Sequence, residues 1–152
     1  MNKKQKRSAR CLCVQLLYSS ELSKNNSVEE VLKSFFKNED QDLDNIIYTD
    51  DEIMYAKKLT NYAFEHIVTI DKLIQDKLKN WAMHRLAIMD KVILRMSISE
   101  MFYMEGIPPK VSMAEGIEIA KQFSTIDSSG FINGILDAIY NDNKNSINKK
   151  VV

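Results

Sequence analysis

Five cations open the chain before its first acid, and they are the residues best suited to binding chemistry. They are Lys3, Lys4, Lys6, Arg7 and Arg10. The first acidic residue is Glu21. At 100° per residue, the apolar residues of this segment gather on one side of a helix and the cations on the other. Tyr18 falls within the basic face. Cations neutralise phosphates and exposed aromatic rings stack on unpaired bases, so the pattern suits single-stranded nucleic acid.

Two other interpretations of this segment stay open. An ordinary amphipathic helix would show the same two faces, with its cations simply solvated. A helix lying on a membrane surface is the third interpretation, although the apolar face lacks the Trp or Phe that often anchor such helices.

The stretch FSTIDSSGFINGILDAIY, from Phe123 to Tyr140, is a second candidate binding element. It predicts a helix that begins at Asp127 or Ser128, where free backbone N–H groups suit a phosphate. Gly130 and Gly134 each weaken a helix by about 1 kcal/mol relative to alanine. With Ala138 they form a smooth strip that another backbone or a ligand could approach.

The same helix has a predicted buried stripe. Its members are Phe131, Ile132, Ile135, Leu136 and Ile139. Asn133 and Asp137 are expected to face away from the core. Phe131 has two possible roles at this stage, as a core residue or as a ring that stacks on a base.

Catalytic and metal-binding patterns are missing from the sequence. It has no glycine-rich phosphate loop, no G-x-S-x-G and no H-E-x-x-H. Cys11 and Cys13 would project about 200° apart on a helix, and the only histidines are His66 and His84. We therefore expect structural thiols, no metal, no cofactor and no enzymatic activity.

Composition bounds the fold class. The chain has 152 residues, of which 45% are hydrophobic, with four glycines and two prolines. Helical periodicity recurs along it and no segment alternates as a strand, so we predict an all-α bundle of about seven helices. No run is long enough to span a membrane and the charged start is unlike a secretion signal, which predicts a soluble, cytoplasmic protein.

The predicted helices fall into two subdomains. Helices over residues 3–20 and 27–38 belong to an N-terminal subdomain of about 1–44. Helices over 49–69, 71–80, 85–105, 112–123 and 127–140 belong to a C-terminal subdomain of about 49–140, and residues 141–152 form a polar tail. An acidic segment with seven acids between residues 39 and 52 joins the two. Pairs of Ser and Glu three residues apart, at 27/30 and 112/115, predict helix starts.

The helix over 85–105 is apolar nearly all round, which predicts a central, buried position. Its charged side chains should therefore be paired or exposed at one edge. These are Asp90, Lys91, Arg95 and Glu100. Such an edge would suit a protein partner.

Three blocks of the sequence resemble the NusB family of bacterial transcription antitermination factors. The first is RSARCLCVQLLY at 7–18, and the second is NWAMHRLAIMDKVILRMSISEM at 80–101. The third is IPPKVSMAEGIEIAKQFSTIDSSGFINGILD at 107–137. Together they cover about half the chain, in the family's order and spacing. Residues 21–79 are similar only in length and helical character.

The resemblance implies a helical fold in two subdomains and a partnership with RNA. The family's function would be to bind boxA RNA together with NusE, a small-subunit ribosomal protein, and to join RNA polymerase with other Nus factors. By position, the five N-terminal cations and Tyr18 correspond to the family's first RNA-binding segment. A second segment corresponds to Asp127, Ser128, Phe131 and Asn133. The resemblance thus implies that Phe131 is partly exposed and contacts a base.

Departures from the family pattern and a different function class complete the expectations. Gly130 stands where many members have a basic residue, and Ala114 and Gly116 stand where the family has Asn and Ala. The alternative function is a homodimeric, non-enzymatic helical scaffold whose basic face binds an acidic protein. An accessory domain like those fused to RNA methyltransferases is a third class.

Overall fold

The structure, a computed structural model, describes residues 1–25, 27–37 and 47–148. The described ranges contain eight α-helices and no strand, so the all-α prediction is confirmed with one helix more than expected. The helices are α1 (Lys3–Ser23), α2 (Val28–Lys37), α3 (Asp50–Glu65), α4 (Ile67–Lys77), α5 (Ile88–Tyr103), α6 (Pro109–Phe123), α7 (Ile126–Asp142) and α8 (Lys144–Asn148). A 3₁₀ turn at Met83–Arg85 precedes α5. Glu39, Asp40, Asp42 and Asp44 of the acidic segment lie outside the described residues, and the subdomain division stays a prediction.

The basic N-terminal segment is helical from its third residue. Asn2 caps α1, because its side chain accepts from the Gln5 N–H at 2.8 Å while the Gln5 side chain accepts from the Asn2 N–H at 2.9 Å. This reciprocal pair satisfies two of the N–H groups that a helix start leaves unpaired. At the other end Lys24 is left-handed (φ 56°) and donates its N–H to Ser20. The cations therefore stand on a fixed helix.

The central position predicted for α5 is confirmed. Ten of its sixteen residues are buried, and it packs against α1, α3, α4, α6 and α7. Its charged side chains are paired, as expected for a buried helix. Asp90 accepts from the hydroxyls of Ser124 and Ser128, Lys91 binds Glu21, Arg95 binds Asp71 and Glu21, and Glu100 binds Arg10.

The boundary between α3 and α4 was predicted wrongly. The chain breaks at His66, not near residue 70. His66 has no helical ψ, and its ring stacks on Tyr103 of α5 with 3.8 Å between centroids. No Gly or Pro marks this break, so the pattern could not reveal it. Asp71 lies inside α4, where it binds Arg95 at 2.9 Å instead of capping a helix.

The starts of α6 and α7 also differ from expectation. Helix α6 begins at Pro109, because a proline at the first position has the helical φ preset and needs no N–H partner. Ser112 and Glu115 therefore lie inside the helix and form no capping box. Helix α7 begins at Ile126, since the Thr125 side chain accepts from the Ser128 N–H at 3.0 Å.

Two ends of helices complete the corrections. Helix α5 stops at Tyr103, three residues before Gly106, whose φ of +77° makes the turn. The tail, expected to be frayed, forms α8 at 144–148, because Ile147 is fully buried against the core. Within the described ranges, no helix combines the length and the apolar character that crossing a bilayer requires.

Candidate nucleic-acid interface

The N-terminal cations do not all face solvent. Lys3 and Lys4 are exposed, and Lys6 and Arg7 are partly exposed. Arg10 is only 2% exposed, so its predicted place among the solvent-facing cations was wrong. Seven residues separate Arg10 from the buried Leu17, which puts the two side chains only about 20° apart around the helix. Arg10 therefore points towards α5.

Buried Arg10 is part of an ion pair in the core. Its Nε lies 2.8 Å and 2.9 Å from the two carboxylate oxygens of Glu100, and the Tyr55 hydroxyl donates to Glu100 at 2.6 Å. Burial lowers the pKa of Arg10, but the charge and hydrogen bond of Glu100 outweigh burial and raise it overall. The guanidinium therefore stays charged and fixes α1 against α5.

Glu115 of α6 holds the second arginine. Arg7 donates to it from Nε at 2.7 Å and from Nη2 at 3.0 Å, and Arg10 Nη1 lies 3.7 Å away. The hydrogen bonds from Arg7, followed by the charge of Arg10, lower the pKa of Glu115. Because two parallel N–H···O bonds fix the guanidinium plane, Arg7 is oriented but partly neutralised. A phosphate approaching Arg7 would compete with Glu115.

Tyr18 lies on an open groove. The groove has a volume of about 590 Å³, and Tyr18 shares it with Phe35, Met89 and Phe123. Phe123 is 39% exposed and ends α6, directly before the start of α7. Arg7 contacts α6 at Glu115 and Tyr18 approaches it near Phe123. The side chains of α1 thus follow α6 from the cations to the aromatic groove.

A second cavity, of about 580 Å³, brings together three of the predicted residues at the start of α7. They are Asp127, Ser128 and Phe131. Phe131 is 39% exposed, so it does not belong to the buried stripe, whose other four members are buried as predicted. Asp90 links this cavity to the segment after Phe123, because it accepts from Ser124 at 2.9 Å and Ser128 at 3.0 Å.

Asn133 lies apart from that cavity. It is exposed, and it lines a smaller depression of about 370 Å³ with Met113, Ala114 and Ile117 of α6. The position of Asn133 in the sequence, two residues after Phe131, already turns it about 200° around the helix.

Gly130 and Gly134 have open space where a side chain would stand. A Cβ at either position would meet nothing within 4 Å, so no helix approaches the last helix there. The close approach occurs at Gly116, where a Cβ would overlap the hydroxyl of Ser97 on α5. The expected packing of the first helix on the two glycines was therefore wrong.

The thiols are part of the protein core and its margin. Cys13 is fully buried, and burial raises its pKa to about 12. Cys11 is partly exposed, and burial raises its pKa as well. In the part of the chain that the structure describes, no group of three or more His, Cys, Asp or Glu side chains is arranged to hold a metal.

Sequence reasoning missed four residues at this surface: Lys79, Trp81, Arg85 and Glu115. Trp81 is 58% exposed and lines the cavity beside Phe131 with Lys79 and Arg85. A lone Trp between two helical patterns was the available signal. Glu115 had been interpreted only as a capping residue.

Comparison with known proteins identifies the family. The NusB family model matches residues 7–141. The chain belongs to the NusB family. The transcription antitermination protein NusB of Chloroherpeton thalassium is 42% identical over 91% of this chain, and the match spans 63% of that longer protein. NusB of Thermodesulfovibrio yellowstonii is 37% identical over 88% of the chain and 90% of its own length.

A solved structure of antitermination factors NusB and NusE in complex with dsRNA contains a similar chain. It has 25% identity and a TM-score of 0.77, over 93% of this chain and 99% of that one. The resemblance stated from three sequence blocks is thereby confirmed, and it extends across residues 21–79, where the sequence pattern was weakest.

Proposed function

We propose that this chain is a non-enzymatic transcription antitermination factor that binds boxA-type single-stranded nascent RNA together with NusE. It would join RNA polymerase and other Nus factors in the cytoplasm, notably on ribosomal RNA operons. Membership of the NusB family is the observation that carries the proposal. The solved assembly of a NusB with NusE and RNA supports both partners.

The first RNA contact in this proposal is the exposed part of α1. Lys3, Lys4 and Lys6 neutralise phosphates, and Arg7 exchanges Glu115 for a phosphate when RNA arrives. Tyr18 offers its ring to a base from the groove it shares with Phe123. Arg10 has no exposed surface to offer, so it acts by positioning, through its contacts with Glu100 and Glu115.

The second RNA contact is the start of α7. Phe131 stacks on a base, and Asp127 and Ser128 offer polar groups beside it. Asn133 would contact RNA only if the strand also crosses the depression between α6 and α7. The single-strand preference rests on the two partly exposed rings, since stacking requires unpaired bases.

The test is co-purification with NusE of the same organism, with and without a boxA RNA. We expect a complex with NusE that RNA strengthens. RNA affinity measured against salt gives the finer test, because each lost phosphate contact on a single strand lowers the slope of log K against log salt by about 0.7.

Lys3→Ala with Lys4→Ala should weaken RNA binding and lower that slope. Lys33→Ala with Lys58→Ala removes the same charge from exposed positions on α2 and α3 and is the matched control. Equal slopes for the two double variants would contradict the proposed surface. Failure of the wild-type chain to bind either NusE or RNA would overturn the function.

The homodimeric scaffold is not favoured, because NusB relatives cover most of the chain. A homodimer remains compatible with the proposed function. Sedimentation of the chain alone and with NusE would show whether self-association competes with the partner.

A further inference from the structure

The cavity beside Phe131 has a second wall that the RNA contacts proposed above do not use. The segment between α4 and α5 forms it and contributes Lys79, Trp81 and Arg85. The volume of about 580 Å³ lies within the roughly 300–1,000 Å³ typical of sites for small ligands. Aromatic rings and cations therefore line the same opening.

Both rings of the cavity remain accessible in the folded chain. Trp81 is 58% exposed and Phe131 39% exposed. The Arg85 guanidinium carbon lies 5.9 Å from the centroid of the Trp81 ring, a cation–π distance that favours an ordered side chain. Large exposed rings beside cations are the surface on which unpaired bases stack.

The charges of the cavity are not all equally available. Lys77 is paired with Asp142, and Asp90 accepts from two hydroxyls. Across residues 1–25, 27–37 and 47–148, neither Lys79 nor Arg85 forms an ion pair. The uncommitted cations thus lie on the Trp81 wall, and the exposed acid, Asp127, lies on the α7 wall.

The Trp81 wall is held in place by one side chain of α4. Gln75 donates from Nε2 to the Trp81 carbonyl at 2.8 Å and accepts from the Met83 N–H at 2.9 Å. The Trp81 N–H also donates to the Leu78 carbonyl at 3.2 Å. Because the backbone is bonded on both sides of Trp81, the ring is presented from a fixed turn. This preorganisation lowers the ordering cost of binding.

We propose that one unpaired nucleotide of the bound RNA occupies this cavity, with its base against Trp81 and Phe131 and its phosphate at Lys79 and Arg85. The inference rests on the proposed function, since it adds Lys79, Trp81 and Arg85 to the RNA path. The Asp127 carboxylate would repel a phosphate but accept from a base N–H, which sets this direction of insertion.

Trp81 is the only tryptophan of the chain, so its fluorescence reports on the site directly. The wild-type chain is titrated with a short, fluorescein-labelled single-stranded RNA containing all four bases. Anisotropy of the label follows binding, while tryptophan emission is followed with the same RNA unlabelled. We expect quenching of Trp81 that saturates at the same RNA concentration as binding.

Substitutions test the contribution of the ring and of the cations. Trp81→Ala should raise the Kd for the RNA about 5- to 100-fold, the range expected for one base–aromatic contact. Trp81→Phe should recover much of the loss, because it keeps a ring. Lys79→Ala with Arg85→Ala should lower the salt slope by about 0.7 per phosphate contact. Val68→Ala, at an 81% exposed apolar position of α4, is the control and should change nothing.

The outcomes separate this inference from the function on which it rests. If RNA binds with an unchanged Trp81 emission, or if Trp81→Ala binds like the Val68→Ala control, the subsite is refuted while RNA binding stands. If NusE alone changes the emission and RNA does not, the cavity belongs to a protein interface and the inference is also refuted. If the wild-type chain binds no RNA with or without NusE, both proposals fall.

Discussion

Replacement of Arg10 by alanine separates a structural role of this residue from a direct RNA contact. The guanidinium is 2% exposed, and it lies against a Glu100 side chain that is 0% exposed. The substitution leaves the Glu100 carboxylate in the core with the Tyr55 hydroxyl at 2.6 Å but without the opposite charge. Removing one member of a buried pair exposes the protein to the desolvation cost of the other member.

The expected magnitude follows from that geometry. Breaking a buried ion pair from one side costs about 3–5 kcal/mol of unfolding free energy. Exposed positions away from such features change it by about 0.5 kcal/mol or less. Replacing both Arg10 and Glu100 by methionine removes the uncompensated charge and should recover most of the loss, because apolar replacement of a buried pair is often close to neutral.

Urea denaturation of Arg10→Ala, Lys3→Ala and the Arg10→Met/Glu100→Met double variant measures these differences. We expect a large fall in midpoint for the first and little change for the second. RNA binding of Arg10→Ala, measured where the variant is still folded, should fall less than that of Lys3→Ala with Lys4→Ala. If Arg10→Ala unfolds within about 0.5 kcal/mol of wild type and loses RNA binding, Arg10 contacts RNA directly and the structural reasoning is wrong.

Two further predictions concern α6 and α7. Gly116→Ala should destabilise the chain by about 1–2 kcal/mol, because its Cβ overlaps the Ser97 hydroxyl, whereas a second change, Ser97→Ala, should restore most of the loss; a Gly116→Ala midpoint at or above wild type would contradict this packing. Gly134→Ala should instead add about 0.5–1 kcal/mol, since its Cβ meets open space in a helix interior, and reduced RNA binding by this stable variant would show that RNA needs the bare backbone. The pKa of Glu115 is lowered from 4.5, so its stabilising contribution is present above that pH and is lost as the pH falls through the lower, folded-state pKa. Arg7 makes the main contribution to this shift, so Glu115→Gln should flatten the acid limb of stability against pH, and an unchanged limb would exclude the Arg7–Glu115 pair as its cause.

The fold was predictable where periodicity decides it and unpredictable where long-range contacts decide it. The central position of α5 followed from its apolar character on all sides. The break at His66 did not, because stacking on Tyr103 determines it and no Gly or Pro records it. Similarly, Ile147 turns an apparently polar tail into a helix through one buried side chain.

The candidate site shows the same division. Family resemblance indicated the N-terminal cations and Phe131, and pattern alone had favoured the core for Phe131. The helical wheel misplaced Arg10, because a charge close to the apolar face is buried when a carboxylate waits on the facing helix. Only the fold could supply that partner, Glu100, from 90 residues away.

Charge alone gives this chain a weak hold on RNA. Its formal net charge is zero and its pI is about 6.7, whereas nucleic-acid-binding domains often have a pI above about 9. Arg10 is committed to the core and Arg7 is partly neutralised by Glu115, so the lysines carry most of the electrostatic attraction. The exposed rings at 18, 81 and 131 must then supply much of the remaining affinity, and they can do so only for unpaired bases. A chain built in this way needs a second protein to complete the binding surface, which is the physical reason for expecting RNA and NusE to bind it cooperatively. Equal RNA affinity of the isolated chain and of the NusE complex, measured at one salt concentration, would remove that reason.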